Sequence, residues 1–185
     1  MSTTQATAAA GTTYTIDPAH SAAHFKVRHM MVSNVRGEFG KVSGKVVYDA
    51  AHPENGSVTA EIDVNSINTR EPQRDAHLKS PDFFHAEQHP TIKFQSTKIT
   101  PDGPGEYKVT GDLTIRGVTK QVVLEVEGPH PEHKDPWGYV RSGAEGKLKI
   151  NRKDFGLVWN QVLETGGLLV GEEIDINLEV ELIKA

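Results

Sequence analysis

The strongest indication of the fold comes from one ten-residue stretch near the end of the sequence, Glu173-Ile174-Asp175-Ile176-Asn177-Leu178-Glu179-Val180-Glu181-Leu182. Apolar and polar residues alternate strictly along it, and every apolar position carries an aliphatic side chain. Successive side chains of a β-strand point to opposite faces of a sheet. The stretch therefore predicts a strand that buries one face in a core and leaves the other face in water.

The same alternation recurs along the chain, for example over 23–28 and 58–64. Turn-forming residues separate the alternating segments, and the turns after Tyr48, Ile99 and Ile115 are short enough for antiparallel hairpins. Eight strands are predicted, at roughly 20–29, 35–49, 57–65, 91–100, 106–115, 118–128, 138–150 and 171–184, with Tyr14–Ile16 as a short leading strand.

These strands predict an all-β fold, an eight-stranded antiparallel barrel that closes on itself. Glycine inside a strand often marks the bend or bulge that a curved sheet needs, and two strands contain such glycines. They are Gly37, Gly40, Gly44, Gly143 and Gly146. The alternative is a two-sheet sandwich, which periodicity alone does not exclude.

One polar segment, Thr69 to Ser80, breaks the alternation and predicts a short helical insert near 70–80. Thr69 or Asn68 would cap this helix, with Glu71 in its first turn. The segment leads into Pro81-Asp82-Phe83-Phe84, and loops at barrel ends often carry function.

The chain has 185 residues, no cysteine and a net charge of −5, which suits one domain without disulfides. We expect a disordered tail over 1–12 and a barrel domain over 13–185. The charges are interspersed, so no nucleic-acid partner is expected, and no basic run is dense enough to recruit an anionic membrane. No apolar stretch is long enough for a transmembrane segment. Met1 to Gly11 lacks the features of a secretory signal, so a cytoplasmic location is expected, or a periplasmic one if a signal has been removed.

Nine histidines raise the question of a metal site. His20 and His24 share one strand face but lie roughly 13 Å apart, and no three histidines have the spacing of a zinc site. Asp17, His20 and Ser21 could suggest a hydrolase, but no nucleophile elbow accompanies them and adjacent strand residues point to opposite faces. We therefore expect no metal, no catalytic residues and no enzymatic activity.

The interior of the predicted barrel could be solid or hollow. Small inward residues such as Ala60 and Ala144 leave volume unless large ones oppose them. The large residues that could do so are Phe25, Phe39, Phe94, Tyr107 and Tyr139. The pattern alone leaves both interiors open.

Six blocks of sequence, in order from about Tyr14 to Ile183, resemble the YceI-like family. The most specific is Arg74-Asp75-Ala76-His77-Leu78-Lys79-Ser80-Pro81-Asp82-Phe83-Phe84, preceded by Thr69-Arg70. The others are Tyr14 to Ser21, Phe25 to His29 with Gly37 to Phe39, His89 to Phe94, Gly111 to Thr119, and Asn151 to Gly156.

The resemblance implies a lipocalin-like barrel whose tunnel holds an isoprenoid chain, such as a polyprenyl phosphate or a ubiquinone-like quinone, or a fatty amide. It implies a binding or carrier protein that sequesters or transports this lipid, and a homodimer is plausible. The rival hypotheses are an enzyme that acts on such a lipid and a stress-related interaction protein with a filled barrel. No other cofactor is expected.

On this basis we expect the ligand to contact apolar side chains of the barrel interior and of the insert. These are Phe25, Val27, Phe39, Ala60, Ile62, Leu78, Phe83, Phe84, Phe94, Leu113, Leu124, Ala144, Leu148, Trp159, Ile176 and Leu178. Arg74, Asp75 and His77 would either fix the insert or meet a polar headgroup.

Overall fold

The computed structural model describes residues 11–185, which form twelve strands and one short α-helix. The strands are β1 (Thr12–Ile16), β2 (Ala22–His29), β3 (Ser33–Phe39), β4 (Val42–Tyr48), β5 (Ser57–Asp63), β6 (Ile67–Asn68), β7 (Thr91–Pro101), β8 (Glu106–Ile115), β9 (Val118–Glu127), β10 (His133–Lys134), β11 (Val140–Asn151) and β12 (Val170–Lys184). The helix α1 spans Pro72–Lys79. Among the described residues, no helix combines the length and the apolar content needed to cross a membrane.

The strands form one closed antiparallel barrel with eight staves, which confirms the predicted fold. The pairs β1–β2, β3–β4 and β5–β6 each make one long bent stave, and β7, β8, β9, β11 and β12 make the other five. The long β12 closes the ring, because β11 pairs with one edge of it while β1 and β2 share the other edge. The seam between β9 and β11 is the shortest in the ring, since these strands pair over only three residues of each, 125–127 and 145–147.

Two predicted boundaries were wrong in detail. The strand predicted over 35–49 is interrupted at Gly40 and Lys41, where the stave bends between β3 and β4. Glu71, rather than Thr69 or Asn68, caps α1, and its carboxylate accepts hydrogen bonds from the backbone N–H groups of Gln73 and Arg74 at 3.1 and 2.6 Å. The tail predicted over 1–12 lies outside the described residues up to residue 10, and β1 begins at Thr12.

Two interior glycines make room for aromatic rings. A side chain at Gly37 would begin 2.4 Å from the ring of Phe25, its cross-strand partner. At Gly111 the ring of Phe94 lies 2.5 Å from the same position. Each phenyl ring therefore packs flat over a neighbouring strand, and these large side chains line the barrel wall without filling its middle.

Candidate functional site

A cavity of about 240 Å³ runs along the barrel interior, and its surface is almost wholly apolar. Every stave contributes to the cavity wall side chains that point into the barrel. Strand β12 contributes most, with Val170, Ile174, Ile176, Leu178, Val180 and Leu182. The apolar side chains of the alternating stretch 173–182 therefore face the cavity, and the interior of the barrel is hollow rather than solid.

Fifteen of the sixteen side chains predicted to contact a ligand line this cavity. They are Phe25, Val27, Phe39, Ala60, Ile62, Leu78, Phe83, Phe84, Phe94, Leu113, Leu124, Ala144, Leu148, Ile176 and Leu178. Trp159 is the exception, since it packs at the end of the barrel against the rings of His77 and Phe83, with centroid distances of 4.7 and 5.3 Å.

The insert that carries α1 is fixed to the barrel by Thr69. The buried Thr69 donates from its backbone N–H and its hydroxyl to the Asp75 carboxylate, at 2.8 and 2.6 Å. Arg74 donates to the hydroxyl and the carbonyl of the same threonine, at 2.8 and 2.7 Å. Arg74 and Asp75 thus fix the insert through a shared partner rather than through an ion pair with each other. His77 completes this local network through Asp82, 2.8 Å away.

Aromatic side chains that follow α1 close this end of the cavity. Phe83 is buried, and Arg116 from the β8–β9 turn donates to its carbonyl at 2.7 Å. Phe84 meets Phe39 edge to face, with the ring centroids 5.5 Å apart. The insert is therefore a packed cover whose apolar side chains form part of the cavity wall.

Arg152 is a cation that lines the cavity at the end covered by the insert. The sequence analysis did not identify it as a residue of the site. Its side chain is almost fully buried, and burial lowers the pKa of its guanidinium. The guanidinium donates to the carbonyls of Leu157, Trp159, Val170 and Gly171 at 2.7 to 3.3 Å. These contacts hold the segment before β12 in place, so this cation has a structural role.

Two tyrosines lie at the opposite end of the cavity. The hydroxyls of Tyr48 and Tyr107 are 2.9 Å apart, and both rings line the wall. The hydrogen bond with Tyr48, together with burial, raises the pKa of Tyr107 to about 12. The Tyr107 hydroxyl therefore stays neutral in the physiological range.

An ionic cluster around Arg141 lies outside the cavity, where the chain passes from β1 to β2. The guanidinium binds the carboxylates of Asp17, Asp135 and Glu181 at 2.9, 2.6 and 2.5 Å. The imidazole of His20 pairs with Asp17 at 2.9 Å. When it is protonated, His20 is a second cation in the cluster, beside Arg141. No local pattern indicates this cluster, because Asp17 and Arg141 are 124 residues apart.

The same cluster bears on the metal and hydrolase hypotheses. Asp17, His20 and Glu181 bring their ligand atoms within 4.8 Å of one another, which would suit a metal ion. Arg141 binds the two carboxylates, so a guanidinium already pairs with the oxygens Asp17 Oδ2 and Glu181 Oε1. Ser21 is buried and its hydroxyl accepts from the backbone N–H of Glu181 at 3.0 Å, whereas Nδ1 of His20 pairs with Asp17.

Comparisons with known proteins agree with this geometry. A model of the YceI-like domain matches residues 14–182. A UPF0312 protein of Vibrio cholerae is 36% identical over 170 residues, which cover 91% of this chain and 85% of the relative.

Solved structures share the barrel. Burkholderia cenocepacia BcnA aligns with a TM-score of 0.75 and 27% identity, over 90% of this chain and 98% of that one. A polyisoprenoid binding domain from Saccharophagus degradans, implicated in plant cell wall breakdown, aligns with a TM-score of 0.66 over 93% of this chain and 98% of that one. Its identity is 15%, so this likeness shows the fold alone.

Proposed function

This chain belongs to the YceI-like domain family, and on that premise we propose that it binds a long apolar lipid of the isoprenoid type inside its barrel, to sequester or transport it. The observation that carries this proposal is the apolar cavity that extends from Tyr48 and Tyr107 at one end to the insert at the other. The polyisoprenoid binding domain that shares the fold supports the same ligand class.

The energetics of such binding rest on apolar area. An isoprenoid tail forms no hydrogen bonds, so its affinity comes from surface removed from water, at about 25 cal/mol per Å². A tail that buries several hundred Å² can outweigh the cost of association when the cavity is already formed. The preformed wall of this barrel meets that condition.

A polar headgroup has no place in this interior, because burying a polar group without a partner is costly. Among residues 11–185, the cavity wall includes only two charged residues, Glu145 and Arg152, and the Arg152 guanidinium is occupied by backbone carbonyls. We therefore place the tail inside and the headgroup at an opening. The same lack of convergent polar groups favours a carrier over an enzyme that acts on the lipid.

Native mass spectrometry and lipid extraction of the purified protein test the proposal. A copurified polyprenyl or quinone mass is the expected result. Turnover of added lipid would favour the enzyme instead, and a protein that never retains lipid would favour an interaction protein.

Substitutions that fill the cavity give a sharper test. Ala60→Trp and Ala144→Trp add bulk to the cavity wall, so they should abolish lipid retention while the thermal midpoint stays close to that of the parent protein. In a solid core the same change overpacks and costs roughly 1–3 kcal/mol. A sharp loss of stability in both variants, with no lipid in the parent, would contradict the proposal.

Two matched controls calibrate this test. Ala86 is buried but lies outside the cavity wall, so Ala86→Trp should overpack and lower the thermal midpoint. Val123 is exposed on β9, so Val123→Trp should change neither stability nor lipid retention.

A further inference from the structure

The turn between β2 and β3 presents three apolar side chains to solvent. Met30, Met31 and Val32 are 45%, 62% and 76% exposed. The backbone N–H of Val32 donates to the carbonyl of His29 at 3.1 Å, and φ is 50° at Met30 and 59° at Met31. His29 pairs with Ser33, so the loop has three residues, and the positive φ at Met30 and Met31 is the one that a type I′ turn requires of its central residues.

The residues Met30, Met31 and Val32 in this turn favour neither the stability nor the solubility of the protein. Type I′ turns favour Asn-Gly, because both central residues need a positive φ. Bulky side chains are rarely found there, and such strain clusters at functional positions. Two methionines followed by a valine in an exposed, strained turn therefore indicate that the apolar side chains serve an interaction.

The apolar surface extends from the turn to the segment before β12. The backbone N–H of Met30 donates to the carbonyl of Leu169 at 2.8 Å. The Met31 sulfur lies 2.6 Å from the position that a side chain at Gly167 would take. Val162, which is 75% exposed, bridges to Leu168 in the same segment. We call Met30, Met31, Val32 and Val162 the rim patch.

On strands β2 and β3, positive charge lies behind the rim patch, whereas the adjacent β12 carries Glu172, Glu173 and Asp175. The strands β2 and β3 carry Lys26, Arg28 and Arg36 with Glu38 as their single carboxylate, in a chain whose net charge is −5. Lys26 and Arg36 are cross-strand partners, and Arg28 shares their outward face because it lies two residues from Lys26. Lys26 pairs with Asp175, whereas no carboxylate of residues 11–185 lies within ion-pair distance of Arg28 or Arg36. The antiparallel pairing brings together cations that are dispersed in the sequence.

The rim patch also continues the wall of the cavity. Val27 and Val170 line the cavity, and Val170 is the cross-strand partner of His29, which precedes the turn. The exposed apolar side chains thus begin where the cavity wall ends.

From these observations we propose that the rim patch docks the protein on an anionic lipid bilayer. Met30, Met31 and Val32 enter the boundary between headgroups and acyl chains, while Arg28 and Arg36 meet the lipid phosphates. Methionine suits this role because its flexible, polarisable side chain adapts to an irregular apolar surface. This docking is independent of what the cavity holds.

Cosedimentation of the full chain with vesicles tests the proposal. The parent should bind vesicles of phosphatidylcholine with phosphatidylglycerol, and added salt should weaken this binding. The double substitution Met30→Asn with Met31→Gly installs the residues that the turn prefers, so the thermal midpoint should hold or rise while vesicle affinity falls by roughly tenfold or more. Arg28→Gln and Arg36→Gln should each lower the affinity by roughly fivefold.

The matched control is Val123→Ser, which removes an exposed apolar side chain from β9 and should leave vesicle binding unchanged. The proposal is overturned if the parent ignores anionic vesicles or if the turn variant binds them as the parent does. It is also overturned if the turn variant converts a dimer into a monomer with vesicle binding unchanged, since the patch would then join two copies of the chain. Lipid retention in the cavity is a separate readout, so none of these results bears on the proposed function.

Discussion

The Asp17 carboxylate accepts hydrogen bonds at the break between β1 and β2, from the Ala19 backbone N–H at 3.0 Å and from Arg141 at 2.9 Å. Its hydrogen bond with His20, followed by that with Arg141, lowers the pKa of this carboxyl from 3.8 to about 2. A depressed pKa stabilises the folded state above the unfolded pKa, and this contribution disappears as pH falls through the folded value. The same contact raises the pKa of His20, whose contribution is present below pH 6.5 and is lost as pH rises through the folded value.

Asp17→Asn should therefore lower the free energy of unfolding at pH 7 by about 2 kcal/mol. The loss of stability that the parent shows between about pH 4 and pH 2 should become shallower in this variant. Urea denaturation at neutral and acidic pH measures both effects. Asp102→Asn is the matched control, because Asp102 is an exposed partner of Lys108 and its removal should cost little. An unchanged acid profile in the Asp17 variant would contradict this account.

At the scale of the element, the hydroxyl of Thr69 helps to hold the helical insert against the barrel. Thr69→Val keeps the shape of the side chain but removes the hydroxyl that binds Asp75 and Arg74. Asp75 and Arg74 keep their hydrogen bonds to the Thr69 backbone but each loses its hydrogen bond to the hydroxyl, which should cost about 1–3 kcal/mol and speed hydrogen exchange in α1.

Thr69→Ser is the control, since it retains the hydroxyl and should exchange at nearly the parent rate. If α1 exchanges equally slowly in the valine variant, the packing of Phe83 and Phe84 holds the insert without Thr69.

The elements also show what the sequence could predict. Alternation assigned the inward face correctly over 23–27, 58–62 and 174–182, because the period of a strand is a local property. Tyr139, which was expected to oppose small inward residues, is 56% exposed just before β11. Gly40 was identified as a position where the strand could bend, but the break of the strand at Gly40 and Lys41 was not predicted. The inward positions change there from odd to even numbers, as Phe39 and Val42 show. Trp159 was placed in the wall although it lies outside the cavity, because the segment before β12 is irregular and has no period that shows where a side chain points.

At the scale of the whole molecule, closure of the ring decides which side chains meet. The cavity could not be distinguished from a solid core in the sequence, because that difference depends on how far apart opposite staves lie. The alternating pattern predicts which residues face inward. The distance between Ala60, Ala144 and the aromatic rings is set only when the strands assemble into the barrel. The Arg141 cluster and the cations behind the rim patch arise in the same way, from strands that the topology brings together.

The pairing of the first and last strands has a consequence for chain connectivity. Tyr14 is the cross-strand partner of Lys184, and the backbone N–H of Ala185 donates to the carbonyl of Thr13 at 2.9 Å. A short glycine-serine linker from Ala185 to Thr12 should therefore permit circular permutation, with new ends in the exposed turn between Gly103 and Pro104. Circular dichroism and the thermal midpoint should match those of the parent closely. A permuted chain that does not fold would mean that the β7–β8 hairpin must form as a continuous unit before the ring can close.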